Sequence, residues 1–153
     1  DSIMKNISIA NLGKISKNGV IQNKLEKNLI KENIEELHIK CIGPSHECTN
    51  LSGGNQQKVV FAKWIDTDPK VLILDEPTRG VDIGAKKEIY NIINKLAATG
   101  VGIIMVSSEL PEILGMSDRI MVVSEGKITG ILPKEKANQE NIMTLATGGK
   151  LNE

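Results

Sequence analysis

Four apolar residues run into two acids at 71–77, "VLILDEP", and the pair Asp75 and Glu76 is the strongest local chemical signal in the chain. A strand of that texture would deliver both carboxylates at its carboxyl end, where open α/β sheets bind their ligands. Burying two adjacent like charges there is costly without a compensating partner. A magnesium ion and a water to be activated would supply one: Asp75 would hold the metal while Glu76 polarises the attacking water. The same residues also suit a strand that ends at a solvated Asp-Glu-Pro turn.

A second segment, "NLSGGNQQK" at 50–58, joins a serine, two glycines, a run of amides and a lysine. Ser52 suits the cap of a helix starting about there, and the glycines let the backbone approach a ligand closely. Free amides at a helix start favour an anion. Val59, Val60, Ala62 and Ile65 would anchor the helix on the core, with Trp64 helping. For an isolated Ser-Gly-Gly, a plain glycine turn before a core helix serves equally. A third segment, "HIKCIGPSHEC" at 38–48, gathers His38, Cys41, His46 and Cys48. These lack the paired CxxC or HxxxH spacing of structural zinc sites, and a Gly-Pro turn breaks the segment.

The elements that must carry these residues can be read from hydrophobic periodicity. Leu25, Leu29, Ile30, Ile34 and Leu37 recur at helical spacing and predict an amphipathic helix with a charged outer face. After residue 50 strand-length apolar runs alternate with longer helical patterns, which argues for a parallel sheet covered by helices. "KVLILD" reads as a buried strand, "GAKKEIYNIINKLAATG" as a helix, "VGIIMVS" as a second buried strand and "ELPEILGM" as a short helix. "DRIMVVSEGKITGIL" reads as two strands around a Glu-Gly turn, and Asn138 to Ala146 as a last helix. Met105, Met116 and Met121 are expected to fill the core. A subdomain boundary is expected near residue 50.

The bulk properties narrow the function classes. A chain of 153 residues suits one domain or a piece of one. Its 19 basic and 19 acidic residues cancel, so no global field draws it to nucleic acid or to an anionic membrane. No apolar run approaches the roughly 20 residues that span a bilayer, and no signal peptide is evident. A cytosolic setting is expected.

Taken in order, "LSGGNQQKV", "LDEPTRGVDIGAK", "SSELPEILGMSDRI" and "MVVSEGKI" resemble the second half of an ATP-binding cassette domain. Within that superfamily they are similar to the carboxyl-terminal cassette of the duplicated ATPase subunit of bacterial simple-sugar importers, the ribose and galactose/methyl-galactoside group. The resemblance implies an α/β fold: a partial P-loop NTPase core, with a parallel sheet flanked by helices and part of the α-helical subdomain. Residues 1–50 would belong to the helical subdomain and 51–153 to the carboxyl-terminal part of the ATPase core.

The resemblance also implies roles. Leu51, Ser52, Gly53, Gly54 and Asn55 match the signature motif, which in such proteins touches the γ-phosphate of ATP held by the opposite cassette; Gln56 beside them counts with the nucleotide-binding residues. Asp75 matches the aspartate that positions Mg2+, and Glu76 the glutamate proposed as general base. Gly80, Val81 and Asp82 match the D-loop, which reaches across the same interface. The implied cofactors are ATP and Mg2+. The implied partners are a second cassette, an integral membrane sugar permease and, indirectly, an extracellular sugar-binding protein, without nucleic acid. The implied place is the cytoplasmic face of the membrane, as a peripheral subunit.

Two departures qualify these roles. Ser108 stands where the family's switch histidine would fall, and a hydroxyl cannot become the cation that histidine offers a γ-phosphate. Ser107 and Ser108 would equally serve as helix caps before "ELPEIL". A degenerate regulatory cassette that completes the partner's site is therefore one alternative; a soluble cassette ATPase acting on ribosomes or DNA is another, which the neutral charge disfavours. Second, no Gly-x-x-x-x-Gly-Lys-Ser/Thr phosphate loop occurs: "GKIS" at 13–16 and "GKIT" at 126–129 lack the residue pattern. The family would place that loop upstream of residue 1. The chain then reads as a piece of a longer subunit, inactive alone, and its sheet should show a gap or exposed edge between the strand near 103–107 and that near 119–124.

Overall fold

The computed structural model describes residues 1–151, in two compact units, Asp1–Ile104 and a second that begins at Met105. The first begins with helices α1 (Ile3–Ser8) and α2 (Leu12–Ile15), a small ladder of β1 (Ser16–Lys17) and β2 (Val20–Ile21), and helix α3 (Asn23–Glu36). A 3₁₀ turn at Cys48–Asn50 leads to α4 (Gly53–Ile65), strand β3 (Val71–Asp75), helix α5 (Ile83–Ala98) and strand β4 (Gly102–Val106), which crosses the division between units.

Apolar residues spaced for one helix face build the core of this unit. Ile3 and Ile7 lie one turn apart on α1 and are fully buried, and α1 packs on both α3 and α4. Ile30 of α3, Phe61 and Ala62 of α4 and Ile89 and Ile93 of α5 are buried with them. The α3 stripe is narrower than its periodicity predicts: Ile30 and Leu37 are buried, whereas Leu25 is about half exposed. Asn33 takes an inward place instead, because its amide donates to the Leu29 carbonyl at 2.9 Å and to the Asp66 carboxylate. On α4 the buried face runs through Gly54, Lys58, Val59, Phe61 and Ala62; Val60 and Trp64 point outward, against expectation. Trp64 instead carries the Lys63 ammonium 5.2 Å from its ring centre.

The β1 and β2 ladder is an antiparallel hairpin closed by Asn18 and Gly19, both at positive φ. Asn-Gly supplies the two left-handed residues that a tight hairpin turn demands. Farther on, β3 pairs with β4, and helix α5 between them is the crossover that a parallel pair requires. The apolar runs of both strands predict burial on both faces. They alternate instead, with Val71, Ile73, Ile104 and Val106 more than half exposed and Leu72 buried, because a two-stranded sheet covered on one face leaves every second residue outside.

The second unit contains α6 (Leu110–Met116), β5 (Arg119–Ser124), β6 (Lys127–Pro133), a 3₁₀ turn at Lys134–Lys136 and α7 (Gln139–Ala146). Strands β5 and β6 form an antiparallel hairpin around Glu125 and Gly126, both left-handed, as the Glu-Gly turn predicts. Its inner face, Ile120, Val122 and Leu132, packs on Ile142 and Leu145 of α7. Gly130 permits this approach, since a Cβ there would lie 2.7 Å from a Leu145 methyl. Asn138 caps α7 by accepting from the Asn141 amide at 2.8 Å. Met121 lies on the outer face and is 56% exposed, so it does not fill the core. Among the described residues, β3 with β4 and β5 with β6 are separate two-stranded sheets.

Candidate functional site

Ser52 occupies the N-cap position of α4, with extended dihedrals and its carbonyl accepting from the Gln56 amide at 2.9 Å. Its hydroxyl does not cap the helix amides. It accepts instead from the Asn55 side-chain amide at 2.8 Å, while the Asn55 carbonyl oxygen takes the Lys40 backbone N–H at 2.8 Å. Gln56 reaches back to the Leu51 carbonyl at 2.9 Å, and Leu51 itself is buried. These bonds brace the loop from within. The first amides of the helix, from Gly53 onward, have no carbonyl one turn earlier to bond within the helix, so a ligand anion is a suitable acceptor.

The segment after β3 reaches the same place. Asp75 ends the strand with its carboxylate exposed, and Glu76 comes next, half-buried in the left-handed region at φ 47°. A glutamate rarely adopts that conformation, which costs on the order of 1–2 kcal/mol, and such outliers concentrate where function needs a set geometry. The adjoining turn holds the strain in place. Pro77 and Thr78 are fully buried, the Glu76 carbonyl accepts from the Arg79 amide at 3.1 Å, and the Thr78 carbonyl accepts from Val81 at 3.2 Å. Gly80 turns the chain at φ 71°. Asp82 then caps α5, accepting from the Ala85 amide at 3.0 Å.

Two glycines bring these segments together. A Cβ on Gly53 would lie 3.2 Å from the Gly80 carbonyl oxygen, and one on Gly54 would lie 2.4 Å from the Ala85 Cβ and 3.5 Å from Val81. The start of α4 therefore lies close against the Gly80 turn and the first turn of α5. Ser52, Gly53, Asn55 and Gln56 lie beside Gly80 to Asp82 within the first unit, with Leu51 and Gly54 buried beneath them. Ser108 belongs to the second unit, exposed just beyond β4. The helix-facing role there falls to its neighbour, as Ser107 accepts from the Glu109 amide at 3.0 Å and donates to the buried Glu112 carboxylate.

Sequence reasoning passed over Lys58, which is buried although it stands directly after the polar run "GNQQ". Its ammonium pairs with Glu88 at 2.5 Å and donates to the His38 carbonyl at 2.9 Å. The signal available was its place one turn after Gly54. The hydrogen bond from Lys58 holds the Glu88 carboxyl below its ordinary value, against some desolvation. A carboxyl depressed in the folded state stabilises above its unfolded value of 4.5 and loses that contribution as pH falls through the lower folded value. Glu88 is half exposed, so the contribution is small. The denaturation midpoint of the natural chain should exceed that of Glu88→Gln by a constant margin at neutral pH, and the margin should shrink as the pH is taken below 4.5. A margin independent of pH would remove the charge from the account.

Of the four soft ligands at 38–48, His46 accepts from the Ile42 amide at 3.4 Å and Cys48 from the Asn6 side chain at 3.3 Å. Among the described residues no three His, Cys, Asp or Glu side chains are grouped to hold a metal ion, and no helix is long and apolar enough to cross a membrane.

Known proteins share both the sequence and the backbone. The ribose import ATP-binding protein RbsA of Bacillus subtilis (strain 168) is 60% identical over 149 residues, 97% of this chain and 30% of that protein. The xylose import ATP-binding protein XylG of Thermoanaerobacter pseudethanolicus is 57% identical over 148 residues, covering 97% of this chain and 29% of its own length. The chain thus spans about a third of the curated relatives it matches. The dimeric post-hydrolysis structure of the ATP-binding cassette MJ0796, bound to ADP and Pi, superposes with a TM-score of 0.74 at 19% identity, over 87% of this chain and 56% of that one. The family model for ABC transporters matches residues 2–79, half of the chain. With that match and a cassette fold, the chain belongs to the ABC transporter family.

Proposed function

We propose that this chain is part of an ATP-binding and hydrolysing subunit that energises uptake of a simple sugar through a membrane permease. The observation that supports the reading is the close approach of Gly53 to the Gly80 carbonyl and of Gly54 to Ala85, which sets the starts of α4 and α5 side by side, where free helix amides suit an anion. Relatives named for ribose and xylose import support the sugar. Residues 1–50 act as part of the helical subdomain and 51–153 as the carboxyl-terminal part of the ATPase core.

Leu51, Ser52, Gly53, Gly54, Asn55 and Gln56 make up the segment that meets ATP held by a second cassette, Ser52 and Gly53 on its exposed side and Leu51 and Gly54 buried beneath, and Asp82 approaches from the α5 side. Asp75, an exposed oxygen donor at a strand end, suits a hard cation. Magnesium bound there would neutralise developing phosphate charge. Glu76 orients and deprotonates the attacking water, its backbone already held in the left-handed region. The subunit works at the cytoplasmic face of the membrane, against the permease, and an extracellular sugar-binding protein supplies that permease. A second reading is favoured by Ser108: without a histidine there, this half contributes mainly by completing the partner's site.

Calorimetric titration with MgATP tests the proposal on this 153-residue chain and on a longer subunit that includes a phosphate-binding loop. Binding by the longer protein alone is expected, since the surface described here contributes to a nucleotide held elsewhere. Tight binding by the 153-residue chain would overturn that division of roles.

A further inference from the structure

Lys58 is the buried charge that the assigned roles leave unused. Its side chain is only 3% exposed, and an ammonium is costly to bury unless it is paired and hydrogen-bonded. Both conditions hold, and the partners lie on two different elements. Glu88 belongs to α5; the accepting carbonyl belongs to His38, left-handed at φ 50° just beyond the end of α3. Residues three and four apart share a helix face. Gly54 and Lys58 are so spaced on α4, Ala85 and Glu88 on α5, and the first of each pair already meet at the close approach. The ion pair is therefore the next contact along one helix interface whose first contact lies at the signature glycines.

We propose that Lys58 is a positioning residue: through Glu88 and the His38 carbonyl it holds the starts of α4 and α5 in one register, so that Ser52 to Asn55 and Asp82 meet a partner-held nucleotide together. The inference rests on the nucleotide reading above. Lys58 is buried behind the surface and acts through the helices it links. Methionine at 58 would fill similar space but leave the His38 carbonyl without its donor and the two helices without their charge link. Arginine would keep a cation with donors for both partners, on a larger, planar head.

The test uses the full-length subunit with its partner cassette, comparing the natural protein with Lys58→Met, Lys58→Arg and Glu88→Gln below their melting temperatures. The readouts are kcat and KM for MgATP and ATP-driven association of the cassettes. Lys58→Met and Glu88→Gln should lower kcat about 10- to 100-fold, the scale of a misplacement near 1 Å, and weaken association. KM should stay within about threefold, and Lys58→Arg, which keeps a cation and donors but not the shape of the ammonium, should recover kcat relative to Lys58→Met. A Lys58→Met protein with unchanged kcat and association overturns the proposal. So does a kcat loss in Lys58→Met that Lys58→Arg, melting like the natural protein, does not recover. If Lys58→Met fails to fold, Glu88→Gln decides alone, because its side chain is half exposed. No ATP-driven association or turnover in the natural protein would instead overturn the nucleotide reading, and this inference with it.

Discussion

Glutamine in place of Glu76 in the full-length subunit should lower MgATP turnover by about 10²–10⁴-fold, the range that a positioned general base contributes. Glutamine keeps the volume of the side chain but removes its negative charge and its ability to take a proton, and turns one acceptor oxygen into an amide donor. The Glu76 carbonyl still receives the Arg79 amide, and buried Pro77 and Thr78 still hold the turn. Nucleotide affinity should accordingly stay within a few-fold, so that the loss falls on kcat. Steady-state kinetics combined with equilibrium nucleotide binding separates the two. Unchanged turnover would place hydrolysis at the other cassette and leave this half as the one that completes its partner's site, the role for which Ser108 argues.

The strand, turn and helix that carry Asp75, Glu76 and Asp82 were legible because their signals are local. An apolar run ending in acids predicts a strand end, and a long helical period after "GVD" predicts α5, which the structure places at Ile83–Ala98. The Glu-Gly turn of the last hairpin was legible for the same reason. Burial was harder to read. "VLIL" and "GIIMV" have the texture of strands covered on both faces, yet their exposure is decided by what packs on the second face, which no local pattern contains. Lys58 misled in the opposite sense. Nothing in "GNQQK" announces a buried ammonium, because its partners stand 20 and 30 residues away in sequence, at His38 and Glu88. The hairpin at 16–21 is a different kind of miss: Asn18-Gly19 is a strong local turn signal, and the lysine- and asparagine-rich texture around it hid two strands of two residues each.

The largest expected structural effect belongs to Gly54. Alanine there would put its methyl 2.4 Å from the Ala85 Cβ, a separation that real carbon atoms do not adopt, and neither partner has a flexible end to move aside. Helices α4 and α5 would have to separate, which for an overpacked interior contact costs about 1–3 kcal/mol. That separation also moves Gly53 from the Gly80 carbonyl and so opens the surface proposed to face the nucleotide. Gly54→Ala should therefore lower both the melting temperature and ATP-driven cassette association, whereas Gly53→Ala, whose Cβ would meet Gly80 at 3.2 Å, needs only a small shift and should do less to stability. The double substitution Gly54→Ala with Ala85→Gly transfers the methyl from one helix to the other and should recover much of the lost stability. Residues in direct contact couple by about 0.5–3 kcal/mol in such cycles. A double variant no more stable than additivity allows would mean that the clash lies elsewhere and that Gly54 is needed for its backbone rather than for its missing side chain.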